Sequence, residues 1–158
     1  MSDAFPIPKR SVAHATFTIE NVYPHAPAKV FRAFSTQEDK DRWFGGPPEW
    51  EKQERIFAFR EGGRETSAGG PKGGQVHRMD LIYRDIVQNE RIVYVYDMYL
   101  DSTRISSSLA TLQFHAEGSA TRLSLTEYGV YLDGYDDAGS REHGTRWLLG
   151  KMGKSLQD

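Results

Sequence analysis

Glu127 has the setting that says most about chemistry. It lies in the run ATRLSLTEYG at 120–129, where Leu123, Leu125 and Glu127 share one face of an alternating strand and Arg122, Ser124 and Thr126 share the other. The leucines mark the inward face, so the carboxylate points into the interior with them. There it would accept a hydrogen bond from a bound molecule or, with its pKa raised by burial, act as a general acid or base. The competing reading places it at the cavity rim or pairs it with an Arg or Lys, because unpaired buried acids are rare. His77 leads a second alternating set with Met79, Leu81 and Tyr83, largely opposite Arg78, Asp80 and Arg84. It would orient a ligand or shuttle a proton; a strand-end or surface histidine is the commoner case. In RIVYVYDMYL at 91–100, Tyr94, Tyr96 and Met98 share one face and Val93, Val95 and Tyr99 the other, and periodicity does not choose between them.

Other chemistries find no pattern to carry them. The histidines, His14, His25, His77, His115 and His143, show no metal-ligand spacing, so no metal is indicated. The stretch containing GGPKGG lacks the GxxxxGK[ST] spacing of a phosphate cradle and reads as a flexible loop. There is no G-x-S-x-G elbow and no cysteine, which removes thiolate ligands, disulfides and a cysteine nucleophile. No cofactor is implied.

The elements that must position these groups follow from period and punctuation. A first strand is expected over 12–23, closed by Pro24. Pro27 opens a helix with Val30, Phe31 and Phe34 on one stripe. Thr36 and Asp39 resemble a capping box for a second short helix running to Trp43 and Phe44, stopped by Gly45, Gly46, Pro47 and Pro48. Strands are expected at 50–59, 74–87, 91–100, 104–116 and 121–131, with a short one near Arg64 inside the glycine-rich loop. Short polar connections favour an antiparallel meander. Residues 140–157 return to helical period, with Thr145, Leu148, Leu149, Met152 and Leu156 on one face and Ser140 as cap. Gly144, Gly150 and Gly153 weaken that helix, and small residues would let it lie close to a sheet. The charged runs Glu38–Arg42 and Asp133–Asp137 are expected to face solvent.

The 158 residues suit one domain, 12–158, behind a loose tail at 1–11 that lacks the apolar run of a secretory signal. A net charge of -2 offers no field for nucleic acid or anionic membrane, and no apolar run approaches the roughly 18 residues of a span. The expectation is a cytoplasmic protein with neither partner, its oligomeric state open and a homodimer included.

Five strings in order, APAKVFRAFSTQEDKDRWF at 26–44, FREGGRE at 59–65, YRDIVQNERIVYVYDM at 83–98, ATRLSLTEYG at 120–129 and REHGTRWLLGKM at 141–152, resemble the START-like helix-grip superfamily. This superfamily is also called SRPBCC or polyketide cyclase-like. Within it the chain is most similar to the branch named for activators of the heat-shock-protein-90 ATPase. The departures are the glycine insertion near 66–74 and Gln88-Asn89 where relatives often carry proline, both expected in loops.

The resemblance implies an α+β fold in which about six or seven curved antiparallel strands wrap a long C-terminal helix, with two short helices after the first strand. It also implies a cavity between sheet and helix, and it turns Tyr94, Tyr96 and Met98 inward. The expected lining is Trp43, Phe44, His77, Met79, Tyr94, Tyr96, Met98, Glu127, Trp147, Leu148 and Met152. For Trp43, Phe44 and Trp147, core closure is the first explanation and cavity lining the second. Members of this superfamily bind many ligands, catalyse several reactions or do neither. The leading expectation is therefore binding of a small apolar or aromatic ligand; a cyclase- or hydrolase-type enzyme on the same pocket and a chaperone-activating interaction protein are the alternatives.

Overall fold

The computed structural model of the chain describes residues 9–156. Its elements run β1 (Val12–Tyr23), α1 (Pro27–Ser35), α2 (Gln37–Lys40), β2 (Glu51–Phe57), β3 (Arg64–Gly70), β4 (His77–Val87), β5 (Arg91–Leu100), β6 (Thr103–Glu117), β7 (Ala120–Leu132) and α3 (Ala138–Ser155). The strands form one antiparallel sheet in the order β1-β7-β6-β5-β4-β3-β2, a meander from β2 to β7 with β1 docked on β7. Register shifts between Lys52 and Glu54, Tyr83 and Asp85, and Met98 and Tyr99 add local twist, which helps the sheet curve.

The short helices close one part of the inner face. Val30, Phe31 and Phe34 of α1 are buried, and Phe31 and Phe34 meet Phe114 of β6 edge-on at 5.3 and 5.7 Å. Thr36 accepts from the Asp39 N–H as its spacing predicts. The helix it caps ends at Lys40, and Trp43 and Phe44 follow in turns whose N–H groups still donate to the Lys40 carbonyl. Trp43 is buried, its indole N–H donating to the Ala33 carbonyl at 3.0 Å.

Helix α3 differs from expectation at its start. Asp137 caps it, accepting from the Ser140 N–H at 2.8 Å, so Ser140 lies inside the helix. Gly153 permits the close approach foreseen for the small residues, because a Cβ there would stand 2.8 Å from the Tyr23 ring. The Tyr23 hydroxyl donates to the Leu149 carbonyl at 3.0 Å and ties β1 to the helix. Gly144 and Gly150 have open space where a side chain would begin, so they do not serve close packing.

Two further expectations are corrected. The glycine-rich stretch holds a full seven-residue strand, β3, and much of the insertion near 66–74 lies in it. A Cβ on Gly70 would collide with the Gln75 carbonyl, which is why that edge of the strand tolerates no side chain. The charged runs do not simply face water. Lys40 is buried, Asp133 pairs with Arg10 and the Ser11 N–H, and Asp136 pairs with Arg141. Most of the expected tail, residues 1–8, and the end of the expected terminal helix, residue 157, lie outside the described residues.

Candidate functional site

A cavity of about 470 Å³ lies between the inner face of β3–β7 and the first half of α3, with the 43–50 segment at its rim. That is within the usual range for small-molecule pockets, roughly 300–1,000 Å³. The expected lining residues converge here from separate elements: His77 and Met79 from β4, Tyr94, Tyr96 and Met98 from β5, and Glu127 from β7. Trp147 and Leu148 come from α3, and Trp43 and Phe44 from the turns after α2. Two placements depart from expectation. Met152 is fully buried in the core and does not reach the cavity, because it lies further along α3, where the helix packs against the sheet. Trp147 is 48% exposed at the rim with the Lys151 ammonium 4.3 Å above its ring, so it does not close the core. His77 opens β4, partly buried, its ring stacked on Trp50 at 4.6 Å.

The polar end of the cavity is built around Glu127, which is only 2% exposed. It sits opposite Ala110 of β6, whose small side chain leaves room beside the carboxylate. The Tyr96 hydroxyl donates to its two oxygens at 2.9 and 2.8 Å. Arg141 of α3 donates through Nη1 to the Tyr96 oxygen at 3.0 Å and stands 3.8 Å from Glu127 Oε2. Its Nη2 is shared between Ser106 Oγ at 2.7 Å and Asp136 Oδ2 at 2.9 Å. Burial raises the Glu127 pKa above the usual carboxylate value, against the lowering effects of the Tyr96 hydrogen bond and the Arg141 charge. Ser108 Oγ lies close and pulls the same way as Tyr96, without completing a well-formed hydrogen bond. The inward and the Arg-paired readings of Glu127 are thus both realised. The next tyrosine inward, Tyr94, has a hydroxyl with no hydrogen-bond partner among the described residues; burial first, then the nearby Tyr96 and Glu127, hold its pKa well above normal.

A second buried carboxylate lies behind the opposite wall. Glu65 of β3 is fully buried and accepts from Lys40 Nζ at 2.6 Å, from Arg55 Nη1 at 2.7 Å and from the Tyr83 hydroxyl. Burial alone would raise its pKa, but Lys40, Arg55 and these hydrogen bonds outweigh that and hold it below the usual range. The Lys40 ammonium also sits 4.6 Å from the Phe44 ring centroid.

Arg141, Lys40 and Gly144 were missed from the sequence. Arg141, Thr145 and Leu148 are spaced i, i+4, i+7, and Lys40, Trp43 and Phe44 i, i+3, i+4, so each cation continued an apolar stripe. That was the available signal. Among the described residues no group of His, Asp and Glu is arranged to hold a metal ion, and no helix is long and apolar enough to cross a membrane.

A single antiparallel sheet curved around a C-terminal helix, with a cavity between them, is the helix-grip architecture. Residues 24–157 match the model of the family described as Activator of Hsp90 ATPase homolog 1-like protein, and the chain belongs to that family. The Mll3558 protein from Rhizobium loti is similar at 41% identity, over 92% of this chain and 99% of that one, with a TM-score of 0.86. A protein from Rhizobium leguminosarum is 42% identical over 94% of this chain and 97% of its own, with a TM-score of 0.88. The CV1439 protein from Chromobacterium violaceum shares the fold at 19% identity and a TM-score of 0.76, covering 90% of this chain and 97% of its own. No curated protein matches.

Proposed function

We propose that the protein binds a small apolar or aromatic molecule in the cavity between the sheet and α3, with Tyr96 and Glu127 orienting its polar end. Gly144 carries this reading. It lies within α3, where glycine costs about 1 kcal/mol relative to alanine, and it lines the cavity with nothing within 4 Å of where a Cβ would be. Gly150 on the same helix has open space too but does not line the cavity, so what supports the reading is the place of Gly144 on the cavity wall, where a larger side chain would enter the space. The apolar walls supplied by Met79, Leu81, Met98 and Leu148 suit a ring or a short chain.

Native mass spectrometry and calorimetry with a panel of aromatic and fatty compounds test the proposal. A one-to-one complex is expected, and Gly144→Leu should abolish it while the variant folds at least as stably. Binding that survives the filled cavity would place the ligand elsewhere and sink the reading.

The raised pKa of Glu127 inside the same cavity favours one second reading, an enzyme in which this carboxylate moves a proton. In that case Glu127→Gln should abolish turnover of a compound that the variant still binds. Unchanged turnover would remove Glu127 as the proton carrier.

A further inference from the structure

The ligand's chemistry can be narrowed by asking what Glu127 lacks. An ionised carboxylate offers about four acceptor positions, and here the single Tyr96 proton is shared between both oxygens. The Ser108 hydroxyl lies close without completing a hydrogen bond, so even with it the buried carboxylate keeps an acceptor facing a cavity whose walls are mostly apolar. The groups around it restrict what can donate to that acceptor. Tyr96 already donates to Glu127 and accepts from Arg141, so it has no proton for a ligand. Three of the five N–H donors of Arg141 are taken, by Tyr96, Ser106 and Asp136, and its single charge is already faced by Glu127 and Asp136, so an anionic ligand meets no unmatched cation. A ligand carboxylate would also meet the charges of Glu127 and Asp136. A ligand ammonium would gain Glu127 and Asp136 but meet the Arg141 guanidinium, held 3.8 Å from Glu127 and 5.6 Å over the Tyr96 ring, and it would lose its hydration in a mostly apolar cavity.

From these constraints we infer that the cavity selects a neutral hydroxylated ring compound, whose O–H donates to Glu127 while its ring lies along the Tyr94 and Met98 wall. The inference rests on the proposed binding function and deepens it. Anions of the same shape are rejected by the two carboxylates at the polar end, cations by the cost of stripping water from an ammonium among mostly apolar walls beside the Arg141 charge, and ethers because they cannot donate.

The test uses the full chain at about pH 8 and four naphthalene probes of one shape: 2-naphthol, 2-methoxynaphthalene, 2-naphthoate and 2-naphthylmethylammonium, each titrated by calorimetry. Naphthol is expected to bind about tenfold or more tighter than each of the others, the worth of one hydrogen bond to a charged acceptor. Glu127→Gln replaces that acceptor with a neutral amide that can itself donate to an ether, so the preference over the ether should fall towards parity. Should that variant fail to fold, the four affinities of the unaltered protein still decide. Equal binding of naphthol and its methyl ether would overturn the hydroxyl assignment while leaving the binding function intact. Binding of no probe, or binding that Gly144→Leu does not remove, would overturn both.

Discussion

Glu65 and Glu127 are both buried carboxylates that accept a tyrosine hydroxyl beside an arginine, and they stand on β3 and β7 with β4, β5 and β6 between them. Their surroundings differ in the number of donors. Glu65 has Lys40, Arg55 and Tyr83, so its charge is matched and its acceptor positions are largely used. Glu127 has one shared proton, a Ser108 hydroxyl that lies close without completing a hydrogen bond, and an arginine just outside hydrogen-bond reach. The first arrangement holds a strand and a helix together, whereas the second leaves an acceptor for something not in the chain. Matched burial of two identical side chains therefore separates a structural acid from a binding one by donor count.

Removing Glu65 should have the largest effect. Glu65→Gln leaves Lys40 buried without its anion, and breaking a buried pair in this way costs about 3–5 kcal/mol. Urea unfolding would read the loss directly, and a loss under about 1 kcal/mol would erase the distinction. Tyr83→Phe comes next, because it deletes a hydrogen bond to a charged acceptor, worth about 1.5–3 kcal/mol. Neither change touches the polar end of the cavity, so the affinity of a bound ring compound should fall much less than the stability.

These two clusters were not equally legible. The alternation of Leu123, Leu125 and Glu127 was enough to turn Glu127 inward, because a strand with one apolar face has little freedom of register. Tyr94 and Tyr96 needed the family resemblance, since both faces of their strand carry large apolar residues. The Glu65 cluster left almost no trace. The inward face of β3 is Glu65, Ser67 and Gly69, opposite Leu81, Met79 and His77, so the strand has no apolar period of its own. Lys40 was hidden in a run of charges, and its burial depends on an acid 25 positions away in the chain. Arg141 reaches its partners only once α3 lies across the sheet. Pairings of this kind are set by tertiary geometry, which local pattern does not encode.

Glu127→Gln should change stability by less than about 1 kcal/mol in either direction, because the amide oxygen can keep the Tyr96 hydrogen bond while a costly buried charge disappears. Thermal and urea unfolding of the two glutamine variants side by side would show the contrast. A loss at position 127 as large as that at position 65 would make Glu127 structural too, and would weaken the reading of its spare acceptor as a ligand site.

The smallest effects are those of pH, and they are expected to run in opposite directions at the two sites. In the folded protein Glu65 titrates below an ordinary glutamate, so its stabilisation is present above roughly pH 4.3 and is lost as pH falls through its lowered pKa. The deficit of Glu65→Gln relative to the unaltered protein should therefore shrink as the solution is made more acid. Glu127 titrates above an ordinary glutamate, so the folded state binds its proton more tightly than the unfolded chain does. Its charge carries no penalty below roughly pH 4.3, and the penalty grows as pH rises from there through the raised pKa. Relative to the unaltered protein, Glu127→Gln should gain stability over that rise. Taking each variant as a difference from the unaltered protein cancels the other carboxylates, which titrate in all three. Unfolding free energies measured across the acid range should give two difference curves of opposite slope, a loss that deepens with rising pH for Glu65→Gln and an upward trend for Glu127→Gln. Two curves sloping the same way would mean that donor count does not separate these acids.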